Sequence, residues 1–275
     1  MTNFKFIKIY KFALGVEYNG TNYHGWQKQK QYYKKTIQEY LENAISKVAN
    51  HNIVIFCAGR TDVGVHSLGQ VIHFETYSFR KKKSWILGIN SLLPNDIVVN
   101  WIISVNKKFH ARFSALSRRY FYIIYNNKYR SAILNNLVTF YHYNLNIKKI
   151  KNAIKYLLGE HDFSSFRSGN KLIGSSYRRI LDCNIKKYGN YILIDIKANA
   201  FLYHMVRNIV GSLLEIGIGN KKEDWLLKLI KMKDRTKAAA TVKPNGLFLV
   251  EVEYPKYFHI PNINNNLHFF LKNLF

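Results

Sequence analysis

From Phe4 to Pro255 the chain alternates short β-forming runs with amphipathic helical segments, and no low-complexity linker interrupts them. That alternation constrains the fold most strongly, because every such element must bury one face against a neighbour. Phe4 to Glu17 reads as a half-buried strand. Thr36 opens a helix with Glu39 three residues on, a capping-box pattern, and Ile37, Leu41, Ala44, Ile45 and Val48 share one face. Ile53 to Ala58 reads as a short strand, Gly59 to His66 as a loop and Gly69 to Thr76 as another strand. A helix from Trp85 to Leu92 ends before Pro94, and Ile97 to Val105 returns as a strand.

The second half repeats this rhythm. Arg119 to Tyr125 predicts a strand, Ile147 to Leu158 a helix, and Ile180 to Lys187 and Tyr191 to Ala198 two more strands. Helices follow over Phe201 to Gly217 and Glu223 to Met232, then a strand over Gly246 to Glu253. Two α+β halves, 1–108 and 109–255, with a tail over 256–275, are therefore expected, although no sequence repeat relates them. The tail is Asn-rich but also apolar, which suits either a frayed terminus or a strip packed on a partner.

Charge says more than bulk composition. Lys and Arg total 42 against 16 acids, a formal net charge of +26. A/T-rich codon usage raises Lys without any polyanion to bind, but it does not explain a local lack of acids. None lies between Asp96 and Glu160, an interval holding Lys107, Lys108, Arg112, Arg118, Arg119, Lys128, Arg130 and four further lysines over 148–155. A one-signed field of that extent attracts a polyphosphate and points to nucleic acid. The most apolar helical candidate, Phe201 to Ile218, is interrupted by His204, Arg207 and Glu215, so a buried helix is expected rather than a membrane span. The N-terminus shows no secretory pattern. Two distant cysteines and scattered histidines offer no metal motif, and a reduced cytoplasmic protein without metal or cofactor is expected.

The chemistry concentrates in GRTDVGVHSLGQV, beginning at Gly59. Glycines admit backbone paths that other residues resist, and so can present Arg60 and Asp62 outward from a strand end. On spacing alone, an Asp in such a loop more often caps a turn. The whole string, however, resembles the GRTDAGVHALGQV signature of the tRNA pseudouridine synthase A family, differing at Val63 and Ser67. The resemblance extends through Tyr18-Asn19-Gly20 and Tyr23-His24-Gly25-Trp26-Gln27. It continues through Trp85, Gly88-Ile89-Asn90, Leu93-Pro94 and Asp96-Ile97, then Phe109-His110-Ala111-Arg112-Phe113-Ser114-Ala115 with Arg118-Arg119-Tyr120. In the second half it takes in His161-Asp162-Phe163, Ser165-Phe166-Arg167, Asn199-Ala200-Phe201, His204 to Asn208 and Gly211. Gly246-Leu247-Phe248-Leu249 stands where the family commonly has GLYL.

The resemblance implies a pseudouridine synthase fold, two ferredoxin-like α+β halves sharing a mixed, largely antiparallel central sheet. It implies isomerisation of uridine at positions 38, 39 and 40 of the tRNA anticodon stem-loop by a homodimer. Asp62 would be the catalytic nucleophile, Arg207 its ionic partner, and Tyr120 the aromatic that stacks on the target uracil, with Leu247 against the same base. Arg60 would fill the space the base vacates and Arg112 would hold the neighbouring backbone. Arg80, Lys128, Tyr141, the turn Phe109, His110, Ala111, Arg112, Phe113 and the loop Asn170, Lys171, Leu172, Ile173, Gly174 would be further RNA contacts. On spacing alone, Arg207 reads as an ordinary ion pair or snorkelling side chain and Tyr120 as an ordinary core residue. Two alternatives stay open: a synthase acting on another structured RNA, and a catalytically silent tRNA-binding protein.

Overall fold

A computed structural model describes residues 8–29, 35–169 and 174–261. Two compact units emerge from the packing. The first comprises the described residues up to Leu116 and the stretch from Val252 onward, and the second is Ser117–Glu251. Residues 109–116, placed at the head of the second half by sequence, pack in the first unit. Phe109 is the reason: its ring is fully buried, 5.2 Å from the Tyr254 ring and 5.1 Å from that of Phe258.

The sheet of the first unit has β1 (Tyr10–Tyr18) at its centre, between β3 (His66–Thr76) and β4 (Ile97–Ser104), and β2 (Phe56–Cys57) pairs with β3. All three pairings are antiparallel. One face of β1 carries Phe12, Leu14, Val16 and Tyr18 into a cluster with Leu41 and Ile45 of α1 (Ile37–Ala49) and Trp85 and Ile89 of α2 (Lys82–Asn90). The apolar face expected of α1 is therefore the buried one, with Val48 packed at its edge.

Its expected capping box does not form. Thr36 stands at the N-cap but makes no side-chain cap hydrogen bond, and its Oγ1 is buried without a partner among the described residues. Backbone carbonyls take over the role. The N–H groups of Ile37 and Gln38 donate to the carbonyls of Gly25 and Trp26 at 3.2 and 3.1 Å. The helix start is thus tied to the Tyr23–Gln27 segment, which also touches the Asp62 loop.

The second unit is a mixed sheet. Its order is β10 (Leu247–Glu253), β5 (Ser117–Asn126), β9 (Tyr191–Ala198), β8 (Tyr177–Tyr188), β7 (Gly159–Asp162), with β6 (Thr139–Tyr141) parallel to the end of β5. The remaining helices are α3 (Ile147–Ala153), which continues as a 3-10 turn to Leu157, α4 (Met205–Gly217) and α5 (Trp225–Met232). Helix α4 starts four residues later than the hydrophobic pattern suggests. His204 at its N-cap takes a left-handed backbone, φ 59°, which no helix can run through. The fold class is α+β with a mixed, largely antiparallel sheet, as expected. Among the described residues no helix is long and apolar enough to cross a membrane.

Candidate active site

The Asp62 loop leaves β2 and re-enters the sheet at His66, and both of its flanks are fastened. Ala58 N–H donates to the Val71 carbonyl at 2.8 Å, extending the β2–β3 pairing one residue further. Gln70, fully buried on β3, then grips the next residue: its Nε2 donates to the Gly59 carbonyl at 2.6 Å. Thr61 is held twice, its Oγ1 2.8 Å from the Tyr18 hydroxyl and its carbonyl accepting the Trp26 N–H at 3.0 Å. Beyond Asp62 a tight turn closes as Val65 N–H donates to the Asp62 carbonyl at 3.2 Å, with Gly64 at φ 75°. His66 Nδ1 accepts the Gly20 N–H at 3.1 Å, so that nitrogen carries no proton.

These contacts explain why Tyr18-Asn19-Gly20 and Tyr23 to Gln27 accompany the loop motif in sequence. A Cβ on Gly20 would lie 2.0 Å from the Val65 carbonyl oxygen, and one on Gly25 would lie 2.9 Å from that of Thr61. Gly25 also sits at φ 83°. Only glycine lets the two segments approach so closely. Between these anchors Asp62 is half-buried, while Arg60 and Val63 on either side are exposed.

Tyr120, Arg207 and Leu247 belong to the second unit. Tyr120 lies on β5 opposite Ile196 of β9, 8% exposed, with the Phe201 ring edge-on at 5.0 Å and 84°. Its neighbour Arg119 forms a two-point ion pair with Asp195, at 2.8 and 2.5 Å. That pairing holds the Arg119 guanidinium above its ordinary value. Arg207, in the first turn of α4, donates through Nε to the Val242 carbonyl at 2.8 Å. The adjoining Asn208 is fully buried, and among the described residues its side chain takes part in four hydrogen bonds. Its amide donates to the Phe166 carbonyl and the Ser168 hydroxyl, and its oxygen accepts from Arg235 and Thr241. The segment from Ala238 to Val242 is thereby fixed against the start of α4, ahead of β10, whose first residue is the buried Leu247.

The RNA-contact residues expected from sequence divide by exposure. Arg60, Arg80, Arg112, Phe113 and Lys128 are exposed, and His110 and Tyr141 are half-buried. Phe109 and Ala111 are fully buried, so they shape the turn from beneath rather than meet a ligand with their side chains. Gly174 has φ 82°, while Asn170, Lys171, Leu172 and Ile173 lie outside the described residues. Gln70, Tyr18 and His66 were visible in the sequence only as members of the motifs, and His73 lay outside them, since a side chain that anchors a distant segment leaves no period in the sequence.

Comparison with known proteins agrees with the motif resemblance. A family model described as tRNA pseudouridine synthase matches residues 15–114 and 153–255. Proteins named tRNA pseudouridine synthase A are similar over nearly the whole chain. That of Klebsiella pneumoniae (strain 342) is 51% identical over 92% of this chain and 93% of its own. That of Vibrio cholerae (strain O395) is 51% identical over 92% and 95%, and that of Photorhabdus laumondii 53% identical over 91% and 94%. A solved Cbf5-Nop10-Gar1 complex aligns at a TM-score of 0.31 and 11% identity over 74% of this chain and 45% of that chain, too loose an overlay to assign any residue. The chain belongs to the tRNA pseudouridine synthase family, a family of isomerases.

Proposed function

We propose that this protein isomerises uridine to pseudouridine at positions 38, 39 and 40 of the tRNA anticodon stem-loop, with Asp62 as the catalytic nucleophile. The observation that best supports this reading is the fastened loop. One half-buried carboxylate sits between anchors at Gly59, Thr61, Val65 and His66, so its position is set before substrate arrives. The name shared by the relatives supports tRNA as the substrate, and the basic, acid-free interval suits a polyphosphate.

The reaction breaks the bond from ribose C1′ to uracil N1 and makes one from C1′ to C5. The C5 proton is lost and N1 gains one, so atoms and electrons balance without oxidation. A carboxylate beside an anomeric carbon can bond to it or stabilise its positive character. A second carboxylate to activate water would favour loss of the base, and the loop carries only Asp62. In this reading Arg207 is the ionic partner of Asp62, Tyr120 stacks on the uracil and Leu247 packs beside it.

A stacked uridine must first leave the helix. Arg60 then fills its place and Arg112 holds the adjacent backbone. Arg80, Lys128, Tyr141, the 109–113 turn and the loop over 170–174 add contacts that position the RNA. The working form is a homodimer in the cytoplasm, each tRNA touching both subunits. The test is to incubate the purified protein with unmodified tRNA transcripts and map pseudouridine at single-nucleotide resolution. Conversion confined to 38–40 is expected. Conversion only in other structured RNAs contradicts the assignment, and binding without conversion supports the silent binder instead.

A further inference from the structure

Three successive peptide N–H groups in the first unit all donate to imidazole nitrogens. Ala111 N–H donates to His73 Nδ1 at 3.1 Å, and those of Arg112 and Phe113 donate to His110 Nδ1 at 3.1 and 3.3 Å. A ring nitrogen that accepts carries no proton, so both histidines are fixed as neutral Nε2–H tautomers. His73 is further fixed by a hydrogen bond to the Phe56 backbone. The Ala111 carbonyl accepts the Tyr254 hydroxyl at 2.6 Å, and the turn is closed by His110 N–H donating to the Ser114 hydroxyl and Ser114 N–H donating to the His110 carbonyl, at 2.9 Å each.

This turn displays what an RNA would meet. Phe113 is 77% exposed, its ring 4.4 Å from that of His110, and the Arg112 guanidinium lies 5.5 Å from the Phe113 ring centre. Phe56, 49% exposed, continues the aromatic strip, 5.5 Å from His110 and 5.1 Å from His73. An exposed aromatic beside a guanidinium fits an unpaired base and its phosphate.

We propose that His73 and His110 are positioning residues, whose unprotonated Nδ1 atoms latch the 111–113 turn in the shape that lets Arg112 and Phe113 engage RNA. The proposal rests on the reading of tRNA as substrate. Charge in the surroundings favours the latch. Around His110 stand His73 on β3, Lys11 on β1 and Arg112 on the turn itself, while Glu75 is paired with Lys11 at 3.1 Å. Burial, then Lys11 and Arg112, hold His110 below its ordinary value, and burial takes His73 down to about 3.

A histidine whose folded pKa is depressed keeps its neutral-state contacts above the unfolded value and loses them as pH falls through the folded one. Protonating histidines elsewhere in a basic protein favours RNA, so the latch runs against the general trend.

The test compares wild type, His110→Asn and His110→Phe with an unmodified tRNA transcript. Asn can accept an N–H two residues on, whereas Phe keeps the ring and removes the acceptor. His110→Phe is expected to bind about tenfold more weakly, and His110→Asn to recover most of that loss. As pH falls through the folded value of His110, which lies below the ordinary histidine range, wild type should lose affinity relative to His110→Asn. Long-range proton–nitrogen spectra of the wild-type protein should show both Nδ1 atoms unprotonated, a readout independent of activity. A proton on either Nδ1, equal binding by His110→Phe and wild type, or equal impairment of both variants overturns the latch. A wild type with no action on tRNA but with both tautomers as stated overturns the RNA reading and leaves the latch as architecture alone.

Discussion

Gln70 and Gly59 are eleven residues apart and joined at two points. The Gln70 amide donates to the Gly59 carbonyl at 2.6 Å, and its oxygen receives the Gly59 N–H at 3.4 Å. The side chain therefore acts as a substitute strand where the sheet ends and the loop begins. Gln70→Leu keeps the volume but leaves a buried peptide group without its partner. A loss of ~1–3 kcal/mol in chemical denaturation is expected, together with slower isomerisation from a displaced Asp62. Unchanged stability and rate would show that the loop is held elsewhere.

Gly20 supplies the opposite wall. With its Cβ position 2.0 Å from the Val65 carbonyl oxygen, Gly20→Ala cannot be absorbed by rotating a side chain, because the obstacle is backbone. The 62–65 turn must shift, and shifts of that kind near a reacting group cost about 100-fold in rate. Single-turnover kinetics on tRNA should show the loss at saturating enzyme. A variant with wild-type kinetics would mean that the turn tolerates movement.

Thr36 gives a prediction of the opposite sign. Its Oγ1 is buried without a hydrogen-bond partner among the described residues, so Thr36→Val removes an unsatisfied polar atom at nearly constant shape. The denaturation midpoint should hold or rise. A working N-cap side chain would instead show a loss of ~1 kcal/mol on the same change.

Cys57 borders the loop but is poorly suited to nucleophilic chemistry. Burial pushes its thiol up to about 12, with the Arg60 and Arg112 charges opposing only in part. At about pH 8 it should resist iodoacetamide in the folded protein and react on unfolding, as mass spectrometry of the Cys57 peptide would report. Since the unfolded chain ionises first, Cys57 also lowers stability as pH climbs from about 9 toward 12. Rapid labelling of the native protein would contradict both statements.

Much of this architecture was legible from pattern, and the exceptions share physical causes. The α1 face of Ile37, Leu41, Ala44 and Ile45 and the strand Tyr191–Ala198 matched because burial imposes a period. Strand β6 escaped notice because three residues carry no period, and α4 began late because His204 adopts a left-handed backbone. Strict alternation would put Phe109, Ala111 and Phe113 on one side. Instead the histidine-anchored turn buries the first two and exposes the third. The Asp62 loop was recognisable only as a whole string. What fastens it lies in Gln70, Tyr18, Trp26 and Gly20, whose contacts with the loop appear only in three dimensions.

Asp62→Asn tests the proposed role of Asp62 most directly. The change preserves size and removes only the carboxylate charge. Single-turnover pseudouridine formation on a tRNA transcript should fall by roughly 10⁴-fold or more, while tRNA affinity stays within about threefold because the phosphate contacts remain. Isomerisation persisting near the wild-type rate would contradict the assignment and move the chemistry to another residue.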